Sequence, residues 1–397
     1  MISRAYPPRI GGTGSMIESI CNGLAEEDFD VTVIAQHYGR APSFEVKNKV
    51  RVFRTFNPSS SDEFGLFNLS LAGIGMTKRI LQEKNHDIYH AHDISLAGFS
   101  TCLSKSFNGK KTFLLKYGGD LLFEFLSLKK HKGFNPEDGL EATLDYKSTP
   151  SSVLRRIQNW YFNSYDYVLP NSQYAFDFLL KQGVSKKKTK LLPNAVDIHL
   201  FKQGNKKDAR KKLRLPEDKK ILLTASRLVK WKGVETALKA LPLIIQKERN
   251  ALLVVLGKGP EETHLKNLAK KLGIEKNVLF RGNVERENLA LYFNAADIFL
   301  SPTFFEMMSN SILESMSSSC PVIASDIPSV REILGNNGVY FEKGNEQELT
   351  EKALSLLSNQ SMVKGLGNKS RTAIEKSFSV EKEIKNFVDL YKSVDNK

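Results

Sequence analysis

No apolar run in this 397-residue chain approaches the roughly 20 residues that a membrane-spanning helix needs, which argues against an integral membrane protein. The first residues, 1–8, lack the apolar core of a signal peptide, so we expect a protein that stays in the cytoplasm. Cysteine is scarce, and Cys21, Cys102 and Cys320 are scattered, odd in number and outside metal-ligand spacing. This usage is typical of a reducing compartment and indicates that no structural zinc is bound.

Acidic residues are outnumbered, with 44 Asp and Glu against 58 Lys and Arg, and the formal net charge is +14. The surrounding field therefore favours anionic partners. Much of the excess lies in 186–190 and 206–220, and such runs are most often solvated surface. Neither run contains interleaved aromatics, and helix-turn-helix, finger and ribonucleoprotein signatures are missing, so nucleic acid is not an expected partner. An anionic membrane surface, on the inner face of the plasma membrane, stays open as a partner.

Short β-branched runs alternate with amphipathic stretches along the chain, which is the pattern of parallel sheets covered by helices. The length suits two such α/β domains, and we place them at 1–195 and 205–375. Helical apolar spacing in 376–397 predicts a last helix that packs back on the first domain. The opening strand, Met1–Ser3, is either very short or cut off. A further strand is predicted at 189–193.

A glycine-rich segment precedes the first predicted helix. Gly11 and Gly12 lie in the stretch Tyr6–Gly14, and paired glycines before a helix N-terminus let a phosphate approach the backbone closely. The spacing differs from the dinucleotide fingerprint G-x-G-x-x-G, and an ordinary tight turn is an equal alternative.

Two cations stand at the carboxyl end of a predicted strand in the second half. Arg227 follows the strand at the end where open α/β sheets bind ligands, and Lys232 lies one short loop later. Both suit a phosphate group, which arginine can bind through two parallel hydrogen bonds. Each alone would more often be a surface charge, and their combination with two glutamates further along the chain favours a ligand site.

Those glutamates, Glu306 and Glu314, flank a loop-to-helix junction in which Ser309 or Asn310 is a natural helix N-cap. One carboxylate then precedes the helix and the other lies about one turn inside it. Backbone N–H groups between them form an anion site, and Glu314 comes within reach of a ribose diol because each carboxylate oxygen accepts a hydroxyl donor. With the two cations, the pattern predicts a pocket for a nucleotide-sugar. The alternative is a capping carboxylate and a surface glutamate.

Polar residues at two strand ends of the first domain are candidates for the acceptor side. His90 and His92 alternate at one strand end and so share a face, either as ligands or as a packed or solvent-side pair. Asp120 follows another strand end, with Tyr117 before it and Glu124 one turn on. These three are sugar-hydroxyl ligands or a general base, with plain helix capping as the alternative.

Taken together, these motifs make the chain resemble the retaining GT-B glycosyltransferases of family four, which pair two Rossmann-like, doubly wound domains facing across a cleft. The resemblance covers nearly the whole chain, and its last two segments together are specific. The segments are Pro7-Pro8-x-x-Gly11-Gly12, Asp87-x-x-His90-x-His92, Pro170-Asn171-Ser172, Pro193–Asp197, the loop from Arg227 to Lys232-Gly233, and Glu306 to Glu314.

The resemblance implies a nucleotide diphosphate sugar as donor, bound in the second domain. Arg227 and Lys232 would hold the diphosphate and neutralise the leaving group, Glu306 would bind the donor sugar, and Glu314 would bind the ribose. No cofactor and no divalent metal are implied, because fixed cations balance the developing charge. Further donor contacts are implied for the backbone amides of Met308, Ser309 and Asn310, for Gly282 and Val284 beside the nucleobase, and for Gly12 beside the diphosphate.

Two departures from the family pattern bear on these roles. Met307 stands where the family usually has glycine, directly after the first glutamate. The segment 117–120 lacks the histidine with which many members contact the donor sugar, and Asp120 is our candidate for a catalytic group in its place.

The resulting hypothesis is a retaining, metal-independent hexosyltransferase that acts on a hydroxyl of a glycan or lipid-linked acceptor. Two alternatives stay open. One is a sugar-nucleotide epimerase or hydrolase on the same frame, and the other is a non-catalytic relative that binds nucleotide-sugars.

Overall fold

The computed structural model describes residues 1–8, 12–55, 66–107, 110–128, 133–146 and 149–395. The chain divides into two compact units. Unit 1 comprises Met1–Phe134, Leu140–Asn194 and Val380–Lys397, and unit 2 comprises Asn135–Gly139 and Ala195–Ser379. None of the helices in the described ranges combines the length and the apolar character that crossing a bilayer requires.

Unit 1 is built on a seven-stranded sheet, counted over the described residues, in the order β3-β4-β2-β1-β5-β6-β7. Its strands are β1 (Ile2–Ser3), β2 (Thr32–Gln36), β3 (Phe44–Lys47), β4 (Val50–Thr55), β5 (Ile88–Ala91), β6 (Thr112–Tyr117) and β7 (Tyr167–Pro170). Its first seven helices are α1 (Gly12–Glu26), α2 (Leu66–Gln82), α3 (Leu96–Lys105), α4 (Leu121–Leu128), α5 (Glu141–Asp145), α6 (Thr149–Ser164) and α7 (Gln173–Lys181).

The opening strand β1 spans two residues yet lies in the middle of the sheet. Ile2 pairs with Ile34 of β2 on one side and with Ala91 of β5 on the other, both in parallel. The Ile2 side chain is fully buried. A strand this short is stabilised by its two neighbours and by the packing of helices on both faces of the sheet.

Two details of this sheet differ from the sequence-based prediction. The segment predicted as a strand, 189–193, lies along β7 but forms no regular strand: a single bridge joins Thr189 to Val168, and Lys190 N and Leu192 N donate to the carbonyls of Val168 and Pro170 at 3.1 and 2.9 Å. Pro193 has no N–H to extend this pairing. The antiparallel pair β3–β4 was missed. Its turn residues Asn48 and Lys49 both have positive φ, 52° and 64°, as a two-residue hairpin turn requires.

Unit 2 contains a six-stranded parallel sheet, counted over the described residues, in the order β10-β9-β8-β11-β12-β13. The strands are β8 (Lys220–Ala225), β9 (Ala251–Leu256), β10 (Val278–Gly282), β11 (Ile298–Ser301), β12 (Val322–Ser325) and β13 (Val339–Phe341). The helices are α8 (Lys206–Leu213), α9 (Val234–Lys247), α10 (Glu262–Lys271), α11 (Arg286–Ala295), α12 (Asn310–Ser317), α13 (Pro328–Leu334), α14 (Glu346–Ser358) and α15 (Gln360–Ser377). Buried apolar clusters cover both faces of the sheet. The predicted α/β fold with two parallel-sheet domains is confirmed.

The last helix, α16 (Val380–Asp395), belongs to unit 1 and packs against α1. Its Phe387 and Tyr391 are members of the unit 1 core. It also brings a buried charge to β6, where Glu383 Oε1 lies 3.6 Å from Lys116 Nζ. The same Lys116 ammonium donates a hydrogen bond to the Leu192 carbonyl, so two chain segments distant in sequence are fixed to the sheet by one cation.

Candidate functional site

The candidate site lies at the carboxyl edge of the unit 2 sheet, where β8 and β11 are neighbours. The chain leaves β8 toward β9 and β10 on one side and leaves β11 toward β12 and β13 on the other. Strand order therefore reverses between β8 and β11, and in open α/β sheets such a reversal opens a crevice that binds ligands. The segments that follow these two strands carry the four charged residues singled out from the sequence.

Hydrogen bonds join the segments after β8 and β11. A short 3₁₀ turn, Lys230–Lys232, follows β8, and the carbonyl of Trp231 in it accepts hydrogen bonds from Phe304 N, at 2.8 Å, and from the Thr303 hydroxyl, at 3.0 Å. The exposed Arg227 guanidinium lies 5.3 Å from the centre of the Trp231 ring. This distance suits a cation–π contact, which holds the Arg227 guanidinium over the Trp231 ring at the surface of the loop.

Lys232 and Glu306 form an ion pair between Nζ and Oε2 across the two segments. Their side chains are 19% and 16% exposed, so both can be reached from solvent while held by packing. Met307 N donates to the other Glu306 carboxylate oxygen at 3.3 Å, and the Ser329 hydroxyl donates to the Glu306 carbonyl at 2.6 Å. The structure thus brings together a cation and a carboxylate that are distant in sequence.

Gly233 keeps the two segments in close contact. Its φ is +63°, and a Cβ at this position would lie 1.9 Å from the Pro302 carbonyl oxygen. Only glycine meets both conditions, because other residues avoid this backbone region and the carbonyl belongs to a buried backbone.

Replacement of Gly233 by alanine is expected to lower the free energy of unfolding by more than the ~1 kcal/mol of left-handed strain alone. Gly273→Ala is the matched control, since Gly273 has a φ of +69° and a Cβ added there would have no atom within 4 Å. Thermal unfolding of both variants separates the strain from the clash with Pro302. Equal loss of stability in the two variants would contradict the close contact.

Helix α12 begins where the sequence predicts. Ser309 is the N-cap, and its hydroxyl oxygen accepts a hydrogen bond from Ile312 N at 3.4 Å. Met307 and Met308 before it are buried, and Asn310 opens the helix. The φ of Met307 lies outside the left-handed region, so this position accommodates a side chain without the backbone strain that favours glycine.

Glu314 lies inside α12 and is buried, with a side-chain exposure of 8%. Burial raises the pKa of this carboxyl from 4.5 to about 7, and the charge of Arg286 opposes part of that rise. An Arg286 guanidinium nitrogen lies 3.9 Å from Glu314 Oε1, and the guanidinium also lies over the Phe201 ring at 5.2 Å. Arg286 was missed from the sequence, where its place at the start of α11 was the available signal.

Gly282 ends β10 at the same sheet edge. Its φ is +67°, and its carbonyl accepts a hydrogen bond from Gly257 N at 2.7 Å. Val284, two residues on, is half-buried against the core of unit 2. Both residues therefore lie at the same edge of the sheet as the charged groups, with β9 between β10 and β8.

The histidine candidates lie inside unit 1. The His90 and His92 rings stack at 4.2 Å, and His90 Nδ1 lies 2.8 Å from the Tyr391 hydroxyl of α16. Burial lowers the pKa of both imidazoles well below the usual value, so they are neutral. Within the described ranges no group of three or more potential metal ligands includes them. This placement favours the packed pair among the alternatives that the sequence leaves open.

Asp120 caps helix α4. One carboxylate oxygen accepts from Phe123 N at 2.9 Å, and the other accepts from the Tyr117 hydroxyl at 2.9 Å and from Gln158 at 2.6 Å. Burial raises the pKa of the Asp120 carboxyl and, even more, that of the Tyr117 hydroxyl. Glu124 is half-buried one turn along α4.

Two glycines were predicted to let a phosphate come close to the backbone. Of these, Gly12 is the first residue of α1. Gly11 lies outside the described residues.

Comparison with known proteins relates this chain to glycosyltransferases. Residues 205–373 match the family model described as Glycosyl transferases group 1, and residues 10–200 match that described as Glycosyltransferase Family 4. An uncharacterised glycosyltransferase of Methanocaldococcus jannaschii is 24% identical over 403 residues, covering 99% of this chain and 97% of that protein.

Solved structures show the same fold over the whole chain. Sucrose-phosphate synthase from Thermosynechococcus elongatus superposes with a TM-score of 0.81 at 19% identity, covering 99% of this chain and 98% of that one. HepE of Anabaena, in complex with UDP and glucose, superposes with a TM-score of 0.76 at 18% identity, covering 99% of each chain. At these identities the likeness shows the fold alone.

Proposed function

Since this chain belongs to the GT-B glycosyltransferases of family four, we propose that it transfers a sugar from a nucleotide diphosphate sugar to a hydroxyl of a glycan or lipid-linked acceptor, with retention of configuration. The observation that carries the proposal is the Lys232–Glu306 ion pair at the strand-order reversal. It places a phosphate-binding cation and a hydroxyl-binding carboxylate side by side, as the two ends of such a donor require.

In this proposal the donor diphosphate replaces Glu306 as the partner of Lys232. Arg227 and Lys232 then bind the two phosphates and neutralise the charge that develops on the leaving group. The Glu306 carboxylate, released from the ion pair, accepts hydrogen bonds from the hydroxyls of the donor sugar. Two fixed cations supply what a divalent ion supplies elsewhere, so the reaction is proposed to need no metal.

The rest of the donor follows the same edge of the sheet. Glu314 inside α12 takes the ribose hydroxyls, and the backbone amides of Met308, Ser309 and Asn310 take the phosphate or sugar oxygens near the helix N-terminus. The base lies beside Gly282 and Val284. The acceptor hydroxyl attacks on the face that the leaving group vacates, which gives retention without a dedicated protein nucleophile.

Groups of unit 1 serve the acceptor side in this proposal. Asp120 stands as its candidate catalytic group, with Tyr117 and Glu124 as further candidates, whereas the buried, stacked pair of His90 and His92 is left with a packing role. Asp120 and Tyr117 are already bonded to each other. A substitution such as Asp120→Asn tests this role separately, because it should slow transfer while donor binding in unit 2 stays unchanged.

The proposal is tested by incubating the purified protein with a panel of nucleotide-sugars, in the presence of EDTA, with and without glycan and glycolipid acceptors. HepE was solved with UDP, so UDP-sugars come first in the panel. Acceptor-dependent release of nucleoside diphosphate is the expected result. Conversion of the donor without any acceptor indicates an epimerase or hydrolase, and binding without turnover indicates a non-catalytic relative.

We propose a cytoplasmic location for this reaction, where nucleotide-sugars are made. The three cysteines support a reducing compartment, because Cys21, Cys102 and Cys320 are all free and buried.

A further inference from the structure

Two neighbouring helices of unit 1 expose large apolar side chains. On α3 and just after it, the exposed apolar side chains recur every four residues. On α6 they recur after four residues and then after three. This spacing places each set in one stripe along its helix. Phe107 is 72% exposed and Trp160 is 52% exposed, which is unusual for large aromatic side chains. The stripes consist of Phe99, Leu103 and Phe107, and of Val153, Ile157 and Trp160, and we call them together the apolar face.

The two stripes adjoin. A Cβ at Gly98 of α3 would overlap the Tyr161 hydroxyl of α6, and the Tyr165 hydroxyl donates a hydrogen bond to the Gly98 carbonyl at 2.6 Å. The helices therefore touch at Gly98 and Tyr161. Phe99 and Trp160 are the sequence neighbours of these two residues, and both are exposed, so the two stripes flank the line along which the helices touch.

The charge around the apolar face is predominantly positive. Helix α2 packs against α3, and within the bounds of α2, α3 and α6 the sequence has no aspartate or glutamate. The same three helices carry five basic residues: Lys78, Arg79, Lys105, Arg155 and Arg156. Two of the five form ion pairs with carboxylates just beyond these helices, Arg79 with Glu83 and Lys105 with Asp166, which leaves an excess of three positive charges. Arg156 is exposed beside Ile157. A partner for this surface must therefore present apolar groups and negative charge together.

We propose that the apolar face docks on an anionic lipid bilayer. Lipid headgroups attract the basic residues over about a Debye length, and the acyl boundary then accepts the aromatic and aliphatic side chains. Tryptophan suits the boundary between headgroups and acyl chains, because its ring is apolar and its N–H finds a polar partner at the interface.

A second copy of this chain fits the apolar face less well. A two-fold dimer places the same patch against itself, so the basic residues of one copy would meet those of the other. Like charges brought together in this way oppose association, whereas an anionic bilayer matches the excess positive charge of these helices. The inference does not depend on the identity of the donor or on catalysis.

Fluorescence of the intact protein tests the proposal directly. The chain has two tryptophans. Trp231 is buried within unit 2, whereas Trp160 is exposed on the apolar face, so a change in emission on adding vesicles reports Trp160. We expect a blue shift, and quenching by brominated acyl chains, with mixed phosphatidylcholine–phosphatidylglycerol vesicles, weakening as salt is raised.

Flotation of variants with the same vesicles identifies the surface. Leu103→Ser/Phe107→Ser is expected to lower the partition coefficient about tenfold or more, since two large side chains lose their apolar environment. Val46→Ser/Met362→Ser is the matched control, because both residues are exposed apolar positions that belong to β3 and α15 rather than to α3 or α6, and it should bind as the parent does. Thermal unfolding confirms that both variants are folded.

Several results would overturn the proposal. These are equal binding to phosphatidylcholine alone at every salt concentration, absence of binding at low salt, and binding that survives in Leu103→Ser/Phe107→Ser. The last result would assign the attraction to the lysine segments 186–190 and 206–220. A dimer in sedimentation experiments that dissociates in the same variant, without vesicle binding by the parent, would assign the face to a second copy of the chain.

Discussion

Lys232→Ala is expected to slow the release of nucleoside diphosphate about 10²–10³-fold, the size of effect seen when one preorganised charge-stabilising donor is removed from an active site. The ammonium group is held at the strand-order reversal by its ion pair with Glu306, so it needs little reorganisation to meet a phosphate. The loss should fall mainly on kcat, because the negative charge on the leaving group is greatest in the transition state.

The matched control is Lys239→Ala. Lys239 also belongs to a lysine–glutamate pair of unit 2, with Glu235 at 2.7 Å, but both partners lie on the exposed surface of α9. Its loss should leave the rate within about twofold of the parent, since exposed pairs contribute little. Glu306→Gln should resemble Lys232→Ala in rate. Wild-type activity in Lys232→Ala, measured with a folded protein, would remove Lys232 from the proposed diphosphate site.

Glu314→Gln is expected to stabilise the free protein at neutral and alkaline pH while weakening nucleotide binding. The folded-state pKa of Glu314 is raised from 4.5 to about 7 by burial. The folded protein therefore holds this proton more tightly than the unfolded chain does. As pH rises from about 4.5 to about 7, the unfolded chain loses the proton first and stability falls, by roughly 3 kcal/mol once pH exceeds the folded-state pKa.

Glutamine carries no charge at any pH and escapes this cost. The melting temperature of Glu314→Gln should exceed that of the parent by several degrees near pH 8, and the difference should vanish near pH 4.5. Glu287→Gln, an exposed residue in the first turn of α11, is the control for loss of one negative charge. A difference in melting temperature that does not change with pH would exclude titration of Glu314 as its cause.

The same variant tests the proposed ribose contact. A carboxylate that accepts two hydroxyl donors contributes about 1.5–3 kcal/mol per charged hydrogen bond, so Glu314→Gln should bind the preferred nucleoside diphosphate about tenfold or more weakly near pH 8. The loss should be smaller for the 2′-deoxy analogue, which has one donor fewer. Calorimetric titration of both ligands against both proteins measures this difference.

The fold could be predicted from the sequence because its signals are local. Alternating strand and helix patterns along the chain fix a parallel α/β class, and strands such as β9, buried at all six positions, are continuous apolar runs. The β3–β4 hairpin escaped because β3 is exposed and its turn is Asn48-Lys49 rather than the usual Asn-Gly. Strands of this kind are specified by their neighbours more than by their own residues.

The candidate site was predictable in part for the same reason. Arg227 and Lys232 lie at a strand end, and Ser309 precedes an apolar helix, so local patterns reveal them. The contact between Lys232 and Glu306 joins residues 74 positions apart and depends on the order of the strands, which no local pattern contains. Arg286 was missed because its closeness to Glu314 arises only when α11 packs beside α12.

Helix α16 has a consequence for how this protein is made. The core of unit 1 is built mainly from residues made early in synthesis, but Phe387, Val388 and Tyr391 of α16 complete it. When the ribosome has translated residue 379, all of unit 2 exists, whereas unit 1 still exposes the apolar surface of α1 that α16 will cover. Most of unit 1 is therefore synthesised first, yet its core is completed only by the last helix of the chain.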